Sequence, residues 1–194
     1  MEKEIELSAY HEAGHILLSY FVGYSCSQVL LNTNADADAR TTLNYKSDLL
    51  LITALLNGKS SPEIYQELPN HLRSDTLQVA NGLGLILVAG AVAESVFENR
   101  GTVSTTMAPA LSGKDLQSID EVDYLLGKVI MNHSKSFISD ALSDVCNLFG
   151  VPQFNYTSAA LAKAILAKAD YFLDQQEIEV IIKDNGFLDF IPKF

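Results

Sequence analysis

The sequence predicts a mainly α-helical protein with one small β-hairpin or sheet, an α+β chain in which helix packing dominates. Three observations lead there. Apolar residues recur at helical spacing along most of the chain, whereas one stretch, residues 27–45, reads as two short β-prone runs around a polar turn. The composition, 48% hydrophobic against 19% charged, is that of a chain that buries a core rather than a disordered one. At 194 residues the length suits a single domain, 1–194, with a motif helix and hairpin over 1–47, a helical core over 48–150 and closing helices over 151–194.

The first helix is expected to start at Ser8 as cap. Ala9, Tyr10, Ala13, Ile16, Leu17, Tyr20 and Phe21 supply its apolar spacing, and Gly23 stops it. Ser27–Leu31 and Arg40–Tyr45 read as strands joined by the polar turn Asn32–Ala39. The acidic tract in that turn lacks the glycine and the distal glutamate of a calcium loop, so it reads as a solvated turn. Helices are then expected over Asp48–Leu56, Pro62–Leu68, Ser74–Glu98, Lys114–Asn132, Ser134–Phe149, Ser158–Leu173 and Gln175–Asp184. Pro62 suits a first helical turn, and Gly101–Ser112 reads as a long loop.

Composition also bounds function. A net charge of −11 argues against nucleic acid and anionic membrane surfaces as partners. Cys26 and Cys146, with no CxxC pair and no secretory signal, point to buried thiols in a reducing compartment, hence a cytoplasmic protein. The longest apolar run, Leu83–Ala93, is about half of the ~20 residues that a bilayer core requires, so no membrane span is expected. Asn57-Gly58-Lys59-Ser60 ends like a phosphate-binding loop, but Thr53 stands where its first glycine belongs and a helix precedes it, so no ATPase is expected.

The chemistry sits in the first helix, in the run His11-Glu12-Ala13-Gly14-His15. Residues four apart lie one turn above each other on one helix face, so His11 and His15 can offer two imidazole nitrogens to one metal ion. Glu12, about 100° round the helix, can then act as the general base on a metal-activated water. Two imidazoles and a carboxylate on an apolar helix are costly to bury without partners. Gly14, in a helix interior, points to close approach of a neighbouring element.

A catalytic zinc usually takes three protein ligands and keeps one position for water. His71 and His133 lie among polar residues with no paired partner, so carboxylates are the better candidates. Asp115 opens a helix after the Gly101–Ser112 loop, from where it can project towards a neighbouring site. It is equally read as a helix-start acid stabilised by the macrodipole.

Ala9–His15, AYHEAGH, resembles the zinc-binding sequence of the FtsH-type metalloproteases, membrane-anchored AAA proteases with a mainly helical, zincin-like peptidase domain. Ala89–Phe97, AGAVAESVF, is similar to that family's small-residue helix, and Asp115-Leu116-Gln117 to the DLQ that carries its third zinc ligand. The resemblance implies Zn2+ held by His11, His15 and Asp115, with Glu12 as base. Glu94 is then either a carboxylate orienting a ligand histidine or a helix-packing partner. The Gly113-to-Asp115 interval is shorter than the family's loop, which keeps Asp120 and Asp123 as alternatives for the third ligand.

The activity implied is a zinc-dependent endopeptidase acting on polypeptide without an ATPase of its own, with peptide pairing along the strand near Arg40–Tyr45. The rival is a non-catalytic zincin-fold interaction or assembly module that docks on a separate ATPase. A homo-oligomer or a partner ATPase is expected by analogy with the family alone.

Overall fold

The computed structural model describes residues 2–31, 40–44, 70–99, 113–123 and 137–191. They form a mostly helical α+β arrangement with one small antiparallel sheet. In chain order the elements are α1 (Glu2–Phe21), β1 (Ser25–Leu30), β2 (Arg40–Asn44), α2 (Asn70–Glu98), α3 (Gly113–Asp123), α4 (Phe137–Phe149), α5 (Pro152–Ala167), β3 (Phe172–Asp174), α6 (Gln175–Asp184) and α7 (Phe187–Phe190). The expected helices Asp48–Leu56 and Pro62–Leu68, the loop Gly101–Ser112, the turn Asn32–Ala39 and the phosphate-loop-like run 57–60 lie outside the described residues, as does His133.

α1 begins at Glu2, well before the expected start, so Ser8 lies inside the helix and is not its cap. Its end is as read. Gly23 adopts φ 90°, Tyr24 N–H bonds to Ser19 O at 2.8 Å and Gly23 N–H to Tyr20 O at 3.2 Å. This is a Schellman-type ending, which favours glycine at that position because the left-handed backbone has no Cβ to clash.

α2 runs antiparallel to α1. Along the pair Lys3 meets Glu98, Tyr10 stacks on Phe97 with ring centroids 4.1 Å apart, and His15 meets Ile86. The approach is close because small residues line it. A Cβ added at Gly14 would overlap the Ala89 carbonyl oxygen and lie 2.9 Å from the Ala93 Cβ. The segment Gln78–Glu98 is long and apolar enough by length and composition to cross a membrane, although 78% of its most apolar stretch is buried inside the protein. The criterion of a single unbroken apolar run passes over such a helix, because isolated polar residues interrupt it.

The sheet has the order β2-β1-β3, antiparallel throughout. Val29 faces Thr41 on one side and Leu173 on the other, and the β1–β2 register shifts between Cys26 and Gln28. β3 corrects the expected helix Ser158–Leu173. Pro152 starts α5 in its first turn, the helix stops at Ala167, and Tyr171 takes φ 51° before the chain turns into β3. The C-terminal segment thus completes the sheet begun near the amino terminus rather than adding helices alone.

The core gathers around α1, whose Ala9, Ala13, Ile16, Leu17 and Leu18 are fully buried, with Val88, Ala89 and Val92 of α2 and Leu161 and Ile165 of α5. Phe154 of α5 anchors the closing helices, with Phe21, Phe149, Phe187 and Phe190 at ring-centroid distances of 5.3, 5.8, 5.0 and 5.8 Å. Cys26 and Cys146 are both buried free thiols.

Candidate metal centre

Helical spacing places His11 and His15 on one face of α1, with rings edge to face at a centroid distance of 4.5 Å. Their Nε2 atoms lie 2.9 Å apart. Asp115, in the first turn of α3, brings Oδ2 to 2.9 Å from His11 Nε2 and 3.5 Å from His15 Nε2. The three donor atoms form a group that can hold a metal ion, all within 4.8 Å of one another.

The outer nitrogens fix the direction of the inner ones. His15 Nδ1 donates to the Ile86 carbonyl at 2.8 Å, since a carbonyl can only accept. His11 Nδ1 donates to Glu94 Oε1 at 2.6 Å. With both Nδ1 atoms carrying protons in these bonds, both Nε2 lone pairs turn towards the Asp115 carboxylate. Three lone-pair donors facing one another repel unless a positive charge lies between them, supplied by a metal ion or a proton.

The ionisation of the group follows from that demand. Burial pulls the His11 pKa down, but hydrogen bonds to Asp115 and Glu94, with the nearby charge of Glu12, carry it up to about 10. Burial raises the Asp115 carboxyl, yet the two imidazoles hold it well below the usual carboxylate range. Without a metal, a proton shared with His11 balances the centre.

The donor set fits zinc. Around tetrahedral zinc, with bonds of ~2.0–2.1 Å, neighbouring donors sit about 3.3 Å apart. The observed separations of 2.9, 2.9 and 3.5 Å bracket that value. Among the described residues two imidazoles and one carboxylate make up the donor set.

Glu12 stands outside the group of three. It is 4% exposed, and its Oε2 accepts a hydrogen bond from the Thr41 hydroxyl of β2 at 2.5 Å. Of the alternatives to Asp115, Asp120 is exposed. Asp123 accepts the backbone N–H groups of Phe137 and, at 3.2 Å, Ile138, so it tethers the start of α4. His71 lies near the start of α2.

Three contributors escape the motif reading. The Ile86 carbonyl orients His15 from a helix position whose side chain carries no chemistry. Gly90 makes room for His11: a Cβ there would lie 2.6 Å from the ring's Cε1 and Nε2. Thr41 sits in the expected strand Arg40–Tyr45, but nothing in the sequence marks it as the partner of Glu12. A glycine inside a long apolar helix, one turn before Glu94, is the available signal for Gly90.

Compared with protein-family models and with curated proteins, the chain gives no match.

Proposed function

We propose that this protein is a zinc-dependent endopeptidase of the FtsH peptidase type, with His11, His15 and Asp115 as ligands and Glu12 as general base. The observation that carries the reading is the convergence of His11 Nε2, His15 Nε2 and Asp115 Oδ2, beside a buried carboxylate that belongs to no other ion pair among the described residues. A divalent ion held there supplies Lewis acidity, the power to acidify water and to polarise a carbonyl.

The protein's own residues do the rest. Glu94 and the Ile86 carbonyl fix the two imidazole rings, so that the donor atoms are set before anything binds. Glu12 accepts the proton of the attacking water and returns it to the leaving amine. Its burial keeps that proton from bulk solvent. The substrate is an extended segment of polypeptide, because no described strand pairs with the outer edge of β2 and a peptide can add to that edge through main-chain hydrogen bonds.

Replacing Glu12 with Gln tests the assignment. The variant is expected to retain its zinc, measured by elemental analysis, and to lose at least ~100-fold in hydrolysis of an unfolded polypeptide. Full turnover by the variant would refute the base. Zinc-loaded wild-type protein that cleaves nothing would favour the interaction module.

A further inference from the structure

Thr41 touches Glu12 with its side chain and, with its main chain, forms part of the β2 edge that no described strand pairs with. The second point follows from the register. Leu31 N–H bonds to Tyr171 O at 3.2 Å, so the odd-numbered residues at this end of β1 turn their main-chain groups towards β3. The even-numbered Gln28 and Leu30 then face β2, opposite Thr42 and Arg40. Ser27 Oγ donates to the Thr42 carbonyl at 2.9 Å, which places that carbonyl on the β1 side as well. Antiparallel ladders alternate, so the pair Val29–Thr41 is the one without mutual hydrogen bonds, and the N–H and C=O of Thr41 point to the outer edge. The Thr41 hydroxyl meanwhile holds Glu12 Oε2 at 2.5 Å.

We infer that Thr41 is a positioning residue that ties the docked peptide to the base: its amide and carbonyl pair with the substrate main chain while its hydroxyl fixes the Glu12 carboxylate. The inference rests on the endopeptidase reading above and adds to it. A peptide seated against Thr41 is registered directly on the strand residue that orients the base. The hydroxyl also occupies one carboxylate oxygen, so the base works through its other one and is kept out of the His11–His15–Asp115 group. Valine at this position keeps the shape and the main-chain edge but removes the donor, whereas serine keeps the donor.

Two measurements test this. The first needs neither metal nor substrate: urea unfolding of metal-free wild type, T41V, E12A and the double variant closes a thermodynamic cycle. A coupling of roughly tenfold in the unfolding equilibrium constant is expected for a hydrogen bond to a buried carboxylate. Additive effects would overturn the contact. The second compares zinc-loaded wild type, T41V and T41S on an unfolded fluorogenic peptide. T41V is expected to lose about 100-fold in kcat at unchanged zinc content and nearly unchanged KM, with T41S returning to within about threefold of wild type. T41V at wild-type kcat, or T41S as impaired as T41V, overturns the inference alone. A coupled cycle in the metal-free protein, together with a zinc-loaded wild type that cleaves no peptide, overturns the endopeptidase reading, and the catalytic role of Thr41 with it.

Discussion

At Gly90 and Gly14 the spacing of α1 and α2 comes down to single hydrogen atoms. A methyl at Gly90 would meet the His11 ring at 2.6 Å, and one at Gly14 would strike the Ala89 carbonyl and the Ala93 Cβ. In an isolated helix, Gly to Ala is favourable by about 1 kcal/mol. Here overpacking reverses the sign. Gly14→Ala is expected to lower stability by about 1–3 kcal/mol in urea unfolding. On the proposed function, Gly90→Ala is expected to weaken zinc binding at least ~10-fold, the cost of turning the His11 imidazole from its set orientation. Cys26 gives a test by pH. Burial pushes its thiol from the ordinary 9.0 up to about 12, against hydrogen bonds from the backbone. The folded state thus holds the proton to higher pH than the unfolded chain does. Its contribution is intact below about pH 9 and is lost as pH rises towards about 12. Stability should therefore fall as pH rises from about 9 towards 12, and Cys26→Ala should flatten that fall in urea midpoints measured across the range.

Among the elements, those with local signals were legible in the sequence and those that depend on distant partners were not. α6, Gln175–Asp184, has the bounds its periodicity implied. Asp174 caps it by accepting Glu177 N–H at 2.9 Å, while Glu177 returns a carboxylate to Asp174 N–H at 3.2 Å. Asp174→Ala is expected to cost about 1 kcal/mol in urea unfolding and to leave any metal content unchanged, since Asp174 makes none of the contacts of the candidate centre. The periodicity carries the expected helix Ser158–Leu173 through Phe172 and Leu173, which lie in β3. Phe172 and Leu173 are apolar in either state, and it is pairing with Leu30 and Val29, together with the positive φ of Tyr171, that makes them strand. The same divide runs through the site. His11, Glu12 and His15 are set by one helical turn and could be read locally. Asp115, 104 residues from His11, required the family resemblance. The Ile86 carbonyl and the Thr41 hydroxyl depend on packing that no short motif encodes.

For the whole molecule, the candidate centre exists only when four separate elements meet. α1 carries the imidazoles and the base, α2 orients the rings through Glu94 and Ile86, α3 brings Asp115, and β2 reaches Glu12. Each contact spans the sequence widely, so an ion bound here is bound to the folded state and stabilises it. The most direct test of the account is the metal itself: elemental analysis and X-ray absorption of the purified protein, wild type beside Asp115→Ala. The expected result is one zinc per chain with two imidazole nitrogens and a carboxylate oxygen in its inner sphere, bound far more weakly once Asp115 is removed. Protein that takes up no zinc, or that holds it undiminished without Asp115, would contradict the account.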